Sequence, residues 1–105
     1  MNENDRISIV VLTHNQCQET LRTLRALHEI APDTAIVLVD NASTDATAQK
    51  IAAAYPDVDV VRSSVNLGAA GRNLGVERVR TRYVAFADAD TIWERGAIER
   101  AADLL

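Results

Sequence analysis

Residues Ile7–Leu12 read I-S-I-V-V-L, and Thr13-His14-Asn15 follow at once. A nearly unbroken apolar run rich in β-branched residues is the pattern of a strand buried on both faces, as in the centre of a parallel sheet. The same unit recurs along the chain. Ala35–Val39 (A-I-V-L-V) runs into Asp40-Asn41, and Tyr83–Ala87 (Y-V-A-F-A) runs into Asp88-Ala89-Asp90. A shorter stretch, Val58–Val61, reads as the third strand in chain order and meets Arg62-Ser63. Helical patterns separate the strands. Leu21, Leu24, Leu27 and Ile30 recur through Gln18–Ile30 with Pro32 just beyond, which gives one buried face and a stop. Ser43 or Thr44 is placed to cap a second helix with Asp45 in its first turn and Ala48, Ile51, Ala52 and Tyr55 on its apolar face, ended by Pro56. Another helical segment reaches Arg80, and Gly96–Leu105 reads as a helix without a closing signal. Strand and helix alternate with short connections. The economical arrangement is a three-layer α/β fold, a parallel sheet with helices on both faces joined by right-handed crossovers.

Composition narrows the function classes. The 105 residues suit a single domain spanning 1–105. Fifteen acids against eleven bases, a net charge of −4 and no run of like charge argue against a nucleic-acid partner. The sequence has neither an apolar run long enough to span a bilayer nor a basic start leading into an apolar stretch, so neither a membrane span nor a secretory signal is expected. Cys17 is the one cysteine; it has no internal disulfide partner, which suits a reducing compartment, and cysteine-rich metal sites are excluded. Lys50 is the one lysine and has no glycine near it, so a phosphate-binding P-loop cannot be built and a lysine Schiff base is disfavoured. The first glycine is Gly68. The glycine turn after the first strand that nicotinamide-binding folds need is therefore missing.

In a parallel sheet the ligand site lies beyond the carboxyl ends of the strands, where strand order reverses. Those ends carry Thr13, His14 and Asn15; Asp40 and Asn41; Arg62 and Ser63; and Asp88 and Asp90. Three carboxylates gathered on one rim repel one another unless a cation or a set of donors holds them, which points to a divalent metal or to ribose and base donors. Asp88 and Asp90, two apart in extended chain, point the same way and can address one hard cation. A solvated acidic turn with Asp90 capping the next segment is the plainer alternative. Asp40 ends a fully apolar strand, where a carboxylate is costly unless it accepts hydrogen bonds, so it is a candidate for binding base or ribose. Gly68, Gly71 and Gly75 fall in one stretch, N-L-G-A-A-G-R-N-L-G from Asn66. It reads either as a close crossing of helix and sheet or as a loop closing over a ligand. Arg72 within it is placed to pair with a diphosphate or simply to be solvated. Trp93 reads as packing or as a sugar platform. His14 and Cys17 are too isolated to form a nucleophilic pair.

Four blocks in order, I-S-I-V-V-L-T-H-N, V-L-V-D-N-A-S-T-D-A-T, N-L-G-A-A-G-R-N-L-G and Y-V-A-F-A-D-A-D-T, resemble the amino-terminal half of family 2 glycosyltransferases over about Ile7 to Trp93. The resemblance implies a Rossmann-like αβα sandwich of the GT-A type. It also implies a nucleotide-diphosphate sugar donor, a divalent ion (Mn2+ or Mg2+), and sugar transfer with inversion at the anomeric carbon. By the same resemblance Thr13 and Asn15 line the nucleotide pocket and Asp40 contacts the nucleobase. Asn66 and Gly68 belong to the loop beside the nucleotide, Arg72 and Asn73 form the following R-N pair, and Asp88 and Asp90 match the D-x-D pair, with Asp90 the more direct metal ligand. Where the family commonly has an aromatic between threonine and asparagine, this chain has His14. The family's catalytic base is a carboxylate well beyond the D-x-D pair. It is expected past residue 105, with the acceptor half, so no residue here is given that role and the chain alone is expected to bind donor without turning it over. The family makes cell-wall, capsular and lipid-linked glycans, often at the cytoplasmic face of a membrane, so a glycan or lipid-linked acceptor and that location are expected.

Two other classes share the alternating pattern. A phospho-acceptor receiver domain needs acids just after the first strand and a late lysine; a D-x-D phosphatase needs its pair after the first strand, not the fourth. Both are misplaced here. A non-catalytic module that covers an open sheet edge by self-association is the remaining alternative.

Overall fold

The computed structural model describes residues 7–89. Strand β1 (Ile7–Thr13) is followed by α1 (Cys17–Ile30), β2 (Ala35–Asn41), α2 (Thr47–Ala54) and β3 (Asp59–Ser63). A 3-10 turn at Gly68–Gly71 leads into the short helix α3 (Arg72–Val76), and β4 (Tyr83–Asp88) closes the sheet. All neighbouring strands pair in parallel, in the order β3-β2-β1-β4. The chain moves outward from β1 through β2 to β3, then returns to the other side of β1 with β4. The order therefore reverses at β1, and a crevice opens between the carboxyl ends of β1 and β4. Leu12 stands opposite Asp88 at that point.

β1 is apolar on both faces because both are covered. Ile7, Ile9 and Val11 pack with Ile36 and Leu38 beneath Leu24 and Leu27 of α1 and Ile51 of α2. Val10 joins Val37 and Val39 on the opposite face, with Leu74 and Val79 against them. Side chains alternate across a strand, so these two clusters are the two faces of one sheet. Helix α3 comes so close to the second face that a Cβ at Gly75 would run into Val10 and Val39. Of the two readings of the glycine stretch, the close crossing of helix and sheet holds at Gly75. At the amino end of the sheet Ser8 Oγ lies 2.8 Å from Thr81 Oγ1, which ties the start of β1 to the entry of β4.

Several boundaries differ from the sequence reading. Neither Ser43 nor Thr44 caps α2. The helix begins at Thr47, and the Asp45 carboxylate accepts both its backbone N–H and its hydroxyl. Ser43 is used elsewhere, because it is buried among the strand ends. Ala48 and Ile51 form the buried face of α2, while Ala52 is exposed and Tyr55 lies just past the last turn. The third strand is shifted to Asp59–Ser63, and α3 ends at Val76 rather than Arg80. The segment Gly96–Leu105, Trp93 and Asp90 lie outside the described residues. Among the described residues no helix is long and apolar enough to cross a membrane.

Candidate functional site

At the switch point a cleft of about 350 Å3 opens at the carboxyl edge of the sheet. Leu12, Thr13 and His14 line it from the end of β1, Asn41 from β2, Asn66 and Gly68 from the loop after β3, and Asp88 from β4. Four of the expected site residues, Thr13, Asn66, Gly68 and Asp88, therefore share one wall system. Asn15, Asp40, Arg72 and Asn73 stand behind or beside it.

Thr13 is buried, and its hydroxyl lies 2.9 Å from Thr20 Oγ1 on α1. Thr20 donates its single hydroxyl proton to the Gln16 carbonyl at 2.7 Å. Thr13 must then donate to Thr20, which leaves it only acceptor capacity toward the cleft. His14 Nδ1 lies 2.6 Å from the Asn41 carbonyl oxygen. A carbonyl only accepts, so Nδ1 carries the proton and Nε2 is the acceptor for the Asn15 amide at 3.3 Å. Asn15 sits in the left-handed region at φ 51°. Its backbone N–H donates to Ser43 Oγ at 2.9 Å, and its side-chain oxygen accepts the N–H of Thr44 at 2.8 Å and of Asp45 at 3.3 Å. The β1 and β2 loops are laced together by these groups, and Asn15 serves as the stitch between them.

Asp40 is 1% exposed. Its Oδ1 accepts the Ser43 N–H at 3.2 Å. Its Oδ2 is buried and has no hydrogen-bond partner among the described residues, and the Arg62 Nε lies 3.8 Å away. An unmet buried acceptor costs about 1–3 kcal/mol, and more when charged. Asp40 pairs in register with Thr13, a cleft-lining residue, so this oxygen sits one strand from the cavity.

The opposite wall is assembled from one side chain that sequence reading had placed on the rim without a role. Asn41, 2% exposed, accepts the Leu67 N–H at 3.0 Å on Oδ1 and donates from Nδ2 to the Gly68 carbonyl at 2.9 Å. Gly68 adopts φ +59°, with open space where a Cβ would stand, so its glycine is needed for backbone conformation. Gly71 is needed for space instead, because a Cβ there would lie 2.9 Å from the Asn41 amide. The Arg72 guanidinium stacks over Phe86 at 5.4 Å and reaches Asp88 at 3.5 Å, while Asn73 is exposed on α3. Thr23 of α1, also unremarked in the sequence, donates its buried hydroxyl to the carbonyl of Ala89, the residue after Asp88. Asp45 is the one described carboxyl with a resolved shift. Its pKa is lowered, chiefly because the Thr47 hydroxyl donates to the charged form.

The sequence model of the family described as Glycosyl transferase family 2 matches residues 8–105. The chain belongs to this family. Among curated relatives, TuaG of Bacillus subtilis (strain 168), named as a glycosyltransferase of teichuronic acid biosynthesis, is 31% identical over 94% of this chain and 41% of its own length. The amylovoran biosynthesis glycosyltransferase AmsB of Erwinia amylovora is 29% identical over 93% of this chain and 35% of its own length. This family 2 chain thus spans well under half of the relatives it matches. Among solved structures, TarS of S. aureus superposes with a TM-score of 0.81 over 93% of this chain and 31% of TarS, at 24% identity. The mannosyltransferase PcManGT from Pyrobaculum calidifontis, solved with GDP-Man and Mn2+, gives 0.77 over 92% of this chain and 30% of its own, at 26% identity. The GT-A type of α/β sandwich expected from the family 2 blocks is the fold these likenesses share.

Proposed function

We propose that this chain is the donor-binding part of a metal-dependent, inverting family 2 glycosyltransferase of cell-surface polysaccharide synthesis. The observation that carries the reading is the buried Oδ2 of Asp40, which has no hydrogen-bond partner among the described residues and sits one strand from the cleft. A nucleobase N–H is the kind of donor it lacks, and bonding there would recover the cost of leaving the oxygen dry. Thr13 offers the ribose an acceptor, and Asn15 holds the loop that carries it. Asn66 and Gly68 flank the nucleotide, and Arg72 and Asn73 lie toward the diphosphate.

Mn2+ or Mg2+ fits the donor chemistry at the fourth strand. Asp88 is a hard oxygen donor, 64% exposed at the mouth of the cleft, and Asp90 would be the second carboxylate. Among the described residues no group of three or more His, Cys, Asp or Glu side chains is arranged for a metal, so the diphosphate would complete the ligand set. The ion, when bound, neutralises charge on the departing diphosphate. Thr23 holds the carbonyl of Ala89, next to Asp88, and the Arg72 guanidinium helps to offset the negative charge. The base that takes the acceptor's proton is proposed to lie outside residues 1–105, with the glycan or lipid-linked acceptor site, at the cytoplasmic face of a membrane. PcManGT, solved with a nucleotide sugar and Mn2+, favours this reading over a non-catalytic module.

Calorimetric titration of the protein with uridine, guanosine and thymidine diphosphates, with and without Mn2+, tests it. One nucleotide is expected to bind, and more tightly with Mn2+. A folded protein that binds none of the three would overturn the proposal.

A further inference from the structure

We infer that Asn41 is a positioning residue for the nucleotide: its amide orders the wall at residues 66–68 by one accepted and one donated hydrogen bond. The inference rests on the donor-binding reading above. Residues 64–70 are exposed throughout. Among the described residues, the long-range hydrogen bonds that tie 64–68 to the sheet both come from Asn41, to Leu67 N–H and to the Gly68 carbonyl. The other bonds in the segment are local, from Ser63 to Val65 and from Gly68 to Asn66. Asn41 can act as a fixed anchor because it is itself held on three sides. Its backbone belongs to β2, its carbonyl accepts the His14 proton at 2.6 Å, and its amide abuts the bare Cα of Gly71.

The chemistry of the amide makes the role separable from simple packing. One face accepts and the other donates, so a carboxylate of the same shape satisfies Leu67 but repels the Gly68 carbonyl. A protonated carboxylic acid restores both. In Asn41→Asp the new carboxyl would be buried, and burial raises its pKa.

The test measures nucleoside diphosphate affinity, with Mn2+ present, for wild type, Asn41→Leu and Asn41→Asp at about pH 7.5 and about pH 5.5. Amide exchange at Leu67 is read alongside, without nucleotide. Asn41→Leu is expected to lose roughly tenfold or more in affinity, and its Leu67 amide to exchange freely. Asn41→Asp is expected to be weakened at the higher pH and to recover most of its affinity relative to wild type at the lower. Each variant is compared with wild type at the same pH, so effects common to both proteins cancel and the ratio isolates the new carboxyl. Equal affinities, or a ratio that does not change with pH, would overturn the inference. Absence of binding in the wild type would overturn the donor-binding reading itself, whereas unchanged Leu67 exchange in Asn41→Leu would sink the anchoring role alone.

Discussion

The two walls of the cleft are built on opposite principles. On the β1–β2 side, residues 13–15 and 40–47 exchange bonds in both directions. Asn15 bonds Ser43, Thr44 and Asp45, Ser43 bonds Asp40, and His14 bonds Asn41. On the β3–α3 side, the exposed segment 64–68 has long-range hydrogen bonds, among the described residues, to the single amide of Asn41. The first wall is set before any ligand arrives, and strain is held in it, since Asn15 and Ala42 both have left-handed φ values, 51° and 58°. The second is cheap to move. A fixed surface suits the flat base, whose donors must be matched, and an adaptable one suits the phosphates and sugar, which must enter and leave.

The contrast can be tested from its strongest effect downward. Gly75→Ala probes the frame beneath the adaptable wall. A methyl there meets Val10 of the central strand, so unfolding in urea should show a loss of about 3 kcal/mol. A small loss would mean that α3 yields and the frame is as soft as the loop. Asp40→Ala should lower nucleotide affinity by roughly thirtyfold, about 2 kcal/mol. Its melting temperature should change little, because removing an unmet buried oxygen offsets the lost Ser43 bond. Wild-type affinity in calorimetry would remove the base from that wall. Ser43→Ala should cost about 1 kcal/mol of stability and loosen Asn15; unchanged exchange at the Asn15 amide would break the picture of interlocked loops.

The smallest effect is a pH dependence. The Asp45 carboxyl is held below the ordinary range by Thr47, so its support of α2 is present above the ordinary carboxylate range and lost as pH falls through the lowered folded value. Thr47→Val should move the Asp45 midpoint upward in an NMR titration. No movement would assign the shift to another cause.

Strands β1 and β2 are legible because burial on both faces demands uninterrupted apolar runs, and polar residues at Thr13, Asp40 and Asp88 mark where the runs of β1, β2 and β4 end. Periodicity likewise placed Leu24 and Leu27. The start of α2 was misread because Ser43, Thr44 and Asp45 are all good capping types in succession, and only the burial of Ser43 against Asn15 and Asp40 leaves Asp45 for the task. Thr20, Thr23 and the role of Asn41 were invisible for a different reason. Apart from the local bond of Thr20 to the Gln16 carbonyl, their partners are backbone groups and hydroxyls brought near by the sheet, and no local spacing encodes those. Thr23 meets Ala89 across 66 residues.

The pairing of the first strand with the last described one sets an order of assembly. Ser8 and Thr81 are 73 residues apart, and no part of the β1–β4 crevice exists until residues 83–88 have been made and docked. Contacts of such long range close late, because the entropy of the intervening loop is lost before they form. During synthesis the β1–β2–β3 layer can fold first with one edge of β1 open. The cleft therefore forms after the β1–β2–β3 layer as the chain is made, and a ribosome-bound chain stopped before Tyr83 should have a cooperative core and no affinity for a nucleotide.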